Sequence, residues 1–293
     1  MPSPGDRRAA LARRVRAREL TIAPGVFDMI SARVADRAGF DALYMTGYGI
    51  AASHMGLPDA GLVSYSEMVG RAARICEGTR TPLIADADTG FGGLLNVRHT
   101  VRGYEAAGVA AIQIEDQEFP KKCGHAPGRR VVPLADMVRK VEVAVDARRS
   151  DDFLIVARTD SRSSLGLDEA IRRGQAFARA GADVVFIEAP ESEEEFARIG
   201  REIDAPLLAN MVEGGFSPVV PADTLARLGF AIAIYPGTGF LATAKTLETV
   251  YGHLRTNGSS IDLETGSLSI GEMHELMGFG EVRDFEKRWV ETR

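Results

Sequence analysis

Short apolar runs recur along the chain, and each is followed by a polar or glycine-containing turn and then by a stretch of helical periodicity. The runs LTIAPG, ALYMTG, PLIADAD, AIQIED, FLIVARTD, VVFIEAP, PLLANM and AIAIYP read as eight strands. Between them DMISARVADRAG, SYSEMVGRAARICEG, NVRHTVRGYEAAG, LADMVRKVEVAVDARR, LDEAIRRGQAFARAG, SEEEFARIGREI and PADTLARLG read as amphipathic helices. Several end in Gly, where a left-handed residue closes a helix before the next strand. Uninterrupted apolar strands alternating with such helices predict an α/β fold with a parallel sheet covered outside, and eight units predict closure into a (β/α)8 TIM-type barrel. A doubly wound open sheet is the structural alternative.

Polar residues cluster at one end of these strands. Asp86 and Asp88, Glu115 and Asp116, Arg158 and Asp160, Glu188, and Asn210 all fall near the carboxyl ends, the rim on which a barrel assembles its chemistry. After the eighth strand, TAKTLETVYGHLRTNG continues as a helix. A Gly/Ser link then leads to IGEMHELMGFGEVRDFEKRWVETR, which reads as two short helices with apolar faces. The expected organisation is a catalytic barrel with an N-terminal helix over 1–258 and a helical oligomerisation segment over 259–293. The opening RRAALARRVRARE is poor in acids, as a transit peptide would be, but its spacing equally suits a helix covering one end of a barrel.

Composition narrows the function. The 293 residues are 45% hydrophobic and 26% charged, enough for a single barrel with appendages. A net charge of −6 leaves no electrostatic footprint for nucleic acid or an anionic membrane, so a small-molecule partner is expected. No run approaches the roughly 20 apolar residues of a membrane span. Two cysteines, Cys76 and Cys123, do not make a disulfide framework, which places the chain in a reducing cytoplasm.

Alternation along a strand points Asp86 and Asp88 to one face, where two carboxylates repel unless a cation or protons lie between them. With Asp59 in GLPDAG and Glu115 in IEDQ they offer four hard oxygen donors, the type of set that takes Mg²⁺ or Mn²⁺. Helix capping or pairing with arginine is the plainer role for any one of them. GYGIAA lacks the later acidic residue of a dinucleotide site, and Cys123 with His125 lacks a second ligand pair for zinc. His54, His99, His253 and His274 stand alone and read as structural or solvent-facing, and ESEEEF reads as an acidic first turn of a helix. FPKKCGH is different: a thiol after two lysines is expected to have a lowered pKa and to be reactive.

FPKKCGH, MTGYG, GLPDAG, DADTGFG, IEDQ, ARTD, IEAP and LLANMVEGG together resemble the isocitrate lyase and phosphoenolpyruvate mutase superfamily, over about residues 20–255 and in motif order. The resemblance implies a modified (β/α)8 barrel whose terminal helix swaps onto a partner, a homotetramer built as a dimer of dimers, and Mg²⁺ at Asp59, Asp86, Asp88 and Glu115, with Mn²⁺ as its substitute. The Cys-containing loop is like that of the lyase branch, which implies cleavage of a carbon–carbon bond in a 2-hydroxy-dicarboxylate or tricarboxylate to a 2-oxoacid. Cys123 would then donate a proton to the carbanion, Arg158 would clamp a carboxylate, and Tyr44, Lys121, His125 and Glu188 would complete the catalytic set. Thr46, Gly47, Gly124, Asn210 and Pro236 would line the substrate. The base is open between Tyr44 and a water. Carboxyphosphonoenolpyruvate mutase chemistry and oxaloacetate decarboxylation or hydrolysis are the alternatives. MTGYG is unlike the turn expected of 2-methylisocitrate lyases, and Gly237 in YPGTGF replaces a Leu common in relatives.

Overall fold

In the computed structural model, which describes residues 2–290, all eight expected strands form: β1 (Thr21–Val26), β2 (Leu43–Met45), β3 (Leu83–Asp86), β4 (Ala111–Glu115), β5 (Leu154–Thr159), β6 (Val184–Ile187), β7 (Leu207–Asn210) and β8 (Phe230–Tyr235). They run parallel in sequence order, and β8 pairs with β1 to close the barrel. The open-sheet alternative is thereby eliminated.

Alternation sorts each strand into two cores. Outward residues such as Met45, Ala85, Ile112, Ile155 and Val185 pack under the helices. Inward residues such as Ala23, Ile84, Ala111, Leu154, Val156, Val184, Phe186, Leu208, Ile232 and Ile234 fill the barrel. Both faces are buried, which is why the strands read as continuous apolar runs. The outer layer comprises α2 (Met29–Ala38), α4 (Tyr65–Gly78), α5 (Leu94–Ala106), α6 (Leu134–Ala147), α8 (Leu167–Arg179), α9 (Glu193–Glu202) and α10 (Ala222–Arg227). The ends match the sequence pattern: Gly39 closes α2 at φ 82°, and Ser192 caps α9 ahead of Glu193, Glu194 and Glu195.

The N-terminal helix α1 (Pro4–Arg16) begins from a Ser3–Asp6 capping box. Its Leu11, Ala12 and Val15 are buried in the inner core, at the base of the barrel. Its arginines, which alone resembled a targeting segment, hold that base together. Arg7 donates to the carbonyls of Cys76 and Thr79 at the end of α4, and Arg8 to that of Glu105 near the end of α5. Arg16 reaches Asp152 before β5, and Arg18 reaches Asp204 before β7. A cation at a helix C-terminus satisfies carbonyls that have no intrahelical donor and complements the dipole.

Two short elements were not legible in sequence: α3 (Gly47–Ile50), which runs into a π-helical turn over Ala51–Met55, and α7 (Arg162–Leu165). The glycines of GYGIAA serve close packing, since a Cβ on Gly47 would stand 2.6 Å from Asp86 Oδ2 and one on Gly49 would meet Thr46 and Phe27. The helix after β8 is α11 (Thr238–Asn257), followed by α12 (Ile270–Met277) and α13 (Phe279–Trp289), the two short helices expected of the tail. The chain forms two compact units, Met1–Phe240 and Leu241–Arg293. Among the described residues no helix is long and apolar enough to cross a membrane.

Leu11 is fully buried. Leu11→Ala should therefore cost about 2–5 kcal/mol of unfolding free energy in urea denaturation. A loss well under 1 kcal/mol would show that α1 does not pack into the barrel base.

Candidate active site

The inward positions at or just beyond the carboxyl ends of the strands carry Tyr44 and Thr46, Asp86 and Asp88, Gln113 and Glu115, Arg158 and Asp160, Glu188, Asn210 and Pro236. Below them the same faces are apolar, so the polar rim sits on a packed plug. The sequence reading of this rim holds strand by strand.

Arg158 is the hub. Its Nε donates to Asp160 Oδ2 at 2.9 Å and its Nη2 to Asp160 Oδ1 at 2.8 Å. Nη2 also lies 3.0 Å from Glu188 Oε2, Nε lies 3.4 Å from Glu115 Oε2, and the guanidinium stacks over the Phe186 ring. Burial opposes its charge, but Asp160, Glu188 and Glu115 hold its pKa well above the usual value. Burial likewise works against the Asp160 carboxylate, and Arg158 and Arg129 overcome it and keep its pKa low. The Arg158 guanidinium is thus held in one orientation by a bidentate pair with Asp160. Asn210 Nδ2 donates to both oxygens of Glu188, at 3.1 and 3.3 Å.

Beside this hub, the acidic cluster surrounds a lysine. Lys121 Nζ is paired with Asp59 and lies 2.9 Å from Asp88 Oδ1. Burial would lower the lysine pKa, but Asp88, Asp59, Asp86 and Glu115 hold it well above normal. Asp88 sits at φ 47° and donates its N–H to Asp86 Oδ1, so the turn itself presents both carboxylates. Desolvation raises Asp88 to about 6, and burial pushes Glu115 well above the carboxylate range. Glu115 Oε1 is buried without a partner. As they stand, no three acidic, Cys or His side chains among the described residues are grouped closely enough to hold an ion unaided. The donor set is nevertheless that of a hard divalent cation: desolvated carboxylate oxygens, one of them orphaned, around one lysine charge.

The loop after β4 lies over this rim. Its stem is closed by Glu118 N–H to Arg130 O and Val132 N–H to Asp116 O, and Gln117 exchanges two hydrogen bonds with the Lys122 backbone. Its tip is seated by Cys123 N–H to Asp59 O. Gly124 rests directly on Arg158 Nη2 and Glu188 Oε2, where any Cβ would collide with both. His125 Nδ1 accepts from Phe216 N–H at 3.2 Å, which leaves Nε2 to carry the proton of the neutral ring, 3.8 Å from Glu188. Burial lowers the His125 pKa and favours that neutral form.

Two expectations need correction. The lysines beside Cys123 do not activate it: Lys121 is spent on carboxylates and Lys122 Nζ lies beside Gly128 O. Burial instead pushes the thiol up, against a backbone hydrogen bond at His125 that lowers it. Tyr44 is unsuited to be a base, because burial raises its pKa well above normal and its hydroxyl donates to Gln113 Oε1 at 3.2 Å. Pro236 meets β1, since its carbonyl packs against the bare Cα of Gly25. Thr46 caps α3, accepting from Gly49 N–H.

Three participants were missed in sequence. Gln113 was findable as the lone polar residue inside AIQIE, on the inward parity of β4. Arg173 on α8 donates to Asp116 Oδ2, which also accepts from Thr159, and so braces β4 against β5. Arg129 pairs with Asp160, and nothing in the sequence separates it from Arg130.

Because burial favours the neutral thiol, Cys123 alkylation by iodoacetamide should follow a titration midpoint above the roughly 8.5 of an ordinary cysteine, with little reaction at neutral pH. Peptide mass spectrometry giving a midpoint below about 8 would contradict the buried placement.

Comparison with known proteins agrees with this geometry. Residues 11–255 match the phosphoenolpyruvate phosphomutase family. The chain is 47% identical to 2,3-dimethylmalate lyase of Eubacterium barkeri, covering 94% of this chain and 96% of that one. It is 44% identical to 2-methylisocitrate lyase of Aeropyrum pernix, covering 94% and 87%. Among solved structures, oxaloacetate acetylhydrolase with the inhibitor 3,3-difluorooxalacetate superposes with TM-score 0.92 at 33% identity over 98% of each chain. Phosphonopyruvate hydrolase with oxalate and Mg²⁺ superposes with TM-score 0.88 at 30% identity, over 97% of this chain and 99% of that one. The closed eight-stranded barrel, the ordered rim motifs and these matches show that the chain belongs to the phosphoenolpyruvate mutase and isocitrate lyase superfamily, and the relatives from Eubacterium barkeri and Aeropyrum pernix are named as lyases.

Proposed function

We propose that this protein is a carbon–carbon lyase that splits a 2-hydroxy-dicarboxylate of the substituted malate or 2-methylisocitrate type into a 2-oxoacid and a second carboxylate. The observation that carries this reading is the seating of Gly124 on Arg158 and Glu188, which brings a protonated thiol at Cys123 over a pre-oriented carboxylate clamp. The relatives named as lyases of dimethylmalate and 2-methylisocitrate support it.

A bond between C2 and C3 breaks if the 2-hydroxyl loses its proton and the electrons of the bond are received by C3, whose carboxylate delocalises them. C2 becomes the carbonyl of the 2-oxoacid. Mg²⁺, or Mn²⁺, at Asp86, Asp88 and Glu115 with Asp59 beside them, would supply positive charge that lowers the cost of negative charge developing on the substrate. The Thr46–Gly47 turn and the Tyr44 hydroxyl bound the end that becomes the 2-oxoacid. Arg158 binds the carboxylate on C3 through Nη1, since its Nε and Nη2 are engaged by Asp160, and Glu188, Asn210 and His125 shape its surroundings. Cys123 Sγ–H gives its proton to C3. Because Tyr44 is held protonated, a water takes the hydroxyl proton and passes it to the Cys123 thiolate, which restores the thiol and balances the protons. A proton donor must stay protonated until the carbanion forms, so a thiol raised by burial suits this task better than a thiolate. The covering loop also keeps water from that carbanion.

The same reading assigns residues 1–258 to the catalytic barrel and 259–293 to assembly. It takes the protein as a cytoplasmic homotetramer, a dimer of dimers with its terminal helices exchanged. Support comes from the exposed Phe279, Phe285 and Trp289 on α13, and from two free cysteines.

A panel of 2,3-dimethylmalate, other substituted malates, 2-methylisocitrate, isocitrate and oxaloacetate, assayed with Mg²⁺ for 2-oxoacid release, should yield turnover on a branched 2-hydroxy-dicarboxylate and lose it in EDTA. Turnover of oxaloacetate to oxalate and acetate alone would transfer the assignment to the hydrolase reading, and metal-independent turnover would overturn the role of the acidic cluster. Cys123→Ser should bind a non-reacting dicarboxylate as the parent does while kcat falls on the order of 10²- to 10⁴-fold. Turnover per folded site within a few-fold of the parent would decide against the thiol as proton donor.

A further inference from the structure

Asp160 is gripped by two guanidiniums from different parts of the chain. Arg158, on the same strand, takes both of its oxygens. Arg129, from the far side of the loop that carries Cys123, donates Nη1 to Asp160 Oδ1 at 2.6 Å and Nη2 to Ser163 Oγ at 2.9 Å. Oδ1 is therefore shared between the loop and the clamp. Asp160 cannot turn without loosening both. The Arg129 and Asp160 side chains are 1% and 0% exposed, whereas the neighbouring Arg130 side chain is 80% exposed and pairs only with Glu118 at the loop stem.

Stability gives no reason to bury Arg129. Its Nε has no partner, and taking a guanidinium out of water is costly unless its hydrogen bonds are complete. What the burial does provide is geometry. The stem bonds at Glu118 and Val132 fix where the loop begins and ends, but they do not press its tip onto the rim. Lys121 and the Cys123 N–H hold the tip on the Asp59 side, and the charged contact of Arg129 with the Asp160–Arg158 pair holds the loop on the other.

We propose that Arg129 is a positioning residue that couples the seating of the Cys123 loop to the alignment of Arg158, through the shared carboxylate of Asp160. When the loop is seated, Arg129 holds Asp160, Asp160 holds the Arg158 fork, and Gly124 can lie against it. The seating half of this claim stands without the lyase reading; the alignment of the clamp for substrate rests on it.

The test uses the full chain in three variants, Arg129→Met, Arg129→Lys and Arg130→Met. Methionine keeps bulk at position 129, and Asp160 retains Arg158, so the variant leaves no unpaired buried carboxylate. Folding is checked by circular dichroism and thermal melting. The readout is the alkylation rate of Cys123 by iodoacetamide, followed by peptide mass spectrometry with the buried Cys76 as internal control. Arg129→Met should speed alkylation of Cys123 about tenfold with Cys76 unchanged, Arg129→Lys should fall between it and the parent, and Arg130→Met should match the parent. A Cys123 rate within twofold of the parent in folded Arg129→Met, or an equal increase in Arg130→Met, would overturn the coupling. If Arg129→Met fails to fold, Ser163→Ala removes one arm of the same contact and should speed alkylation about twofold, and no change there overturns the proposal. On a substrate identified for the parent, KM should rise at least tenfold in Arg129→Met and recover in part in Arg129→Lys; a fall in kcat at constant KM would remove the clamp from the proposal. Should the parent turn over nothing, the lyase reading fails while the alkylation rates still decide the seating.

Discussion

The site depends on one buried positive charge. Arg158 reaches the rim on the inward face of β5, where Glu115, Asp160 and Glu188 all lie within 3.4 Å of its guanidinium. Carboxylates this close in a medium of low polarizability repel strongly unless a cation stands among them. The β4, β5 and β6 strand ends can therefore adopt their mutual arrangement only around this side chain. Buried ion pairs of this kind add little to stability over an apolar core, because desolvation offsets the attraction. Their effect is to specify a single geometry, and here that geometry is a guanidinium whose fork is locked onto Asp160 between Glu115 and Glu188.

The adjoining part of the barrel mouth, joined to this one through Glu115, is governed by the reverse imbalance. Asp59, Asp86, Asp88 and Glu115 share Lys121 among them. Burial raises the pKa of Asp88 and Glu115, with the neighbouring carboxylates adding to it, and the Lys121 charge offsets this only in part. The same loop that carries Lys121 into the acidic cluster lays Gly124 on the Arg158–Glu188 pair. A single segment thus touches both halves of the mouth, and Cys123 between them is half-buried.

A rim so rich in charge needs a foundation that contributes none. The barrel interior below it is filled by Ile84, Leu154, Val156, Val184, Phe186, Leu208 and Ile232, and α1 closes the far end with Leu11, Ala12 and Val15. The arginines of α1, with Arg18 just after it, turn outward from that apolar strip to the ends of α4 and α5 and the segments before β5 and β7. Stability is concentrated at the base and chemistry at the rim, and the proposed reaction draws on the stiffness of the former to hold charges the latter would otherwise drive apart.

Periodicity along the chain determined the eight strands, their helices and the barrel, because burial on both faces of a parallel sheet leaves a signal within each segment. Alternation within a strand determined which residues share the rim, so Asp86 with Asp88, Glu115, Arg158, Glu188 and Asn210 could be named from sequence. What only the folded chain decided is which of them touch. Lysines adjacent to Cys123 in sequence point away from it, and Tyr44 is too deeply buried to lose its proton. Arg129 and Arg130 are chemically identical neighbours, yet the loop sends one into the site and the other into solvent. The reason is physical: period and polarity are local properties that one segment carries by itself, whereas a side chain's partner and its pKa depend on burial and on charges brought close from distant parts of the chain.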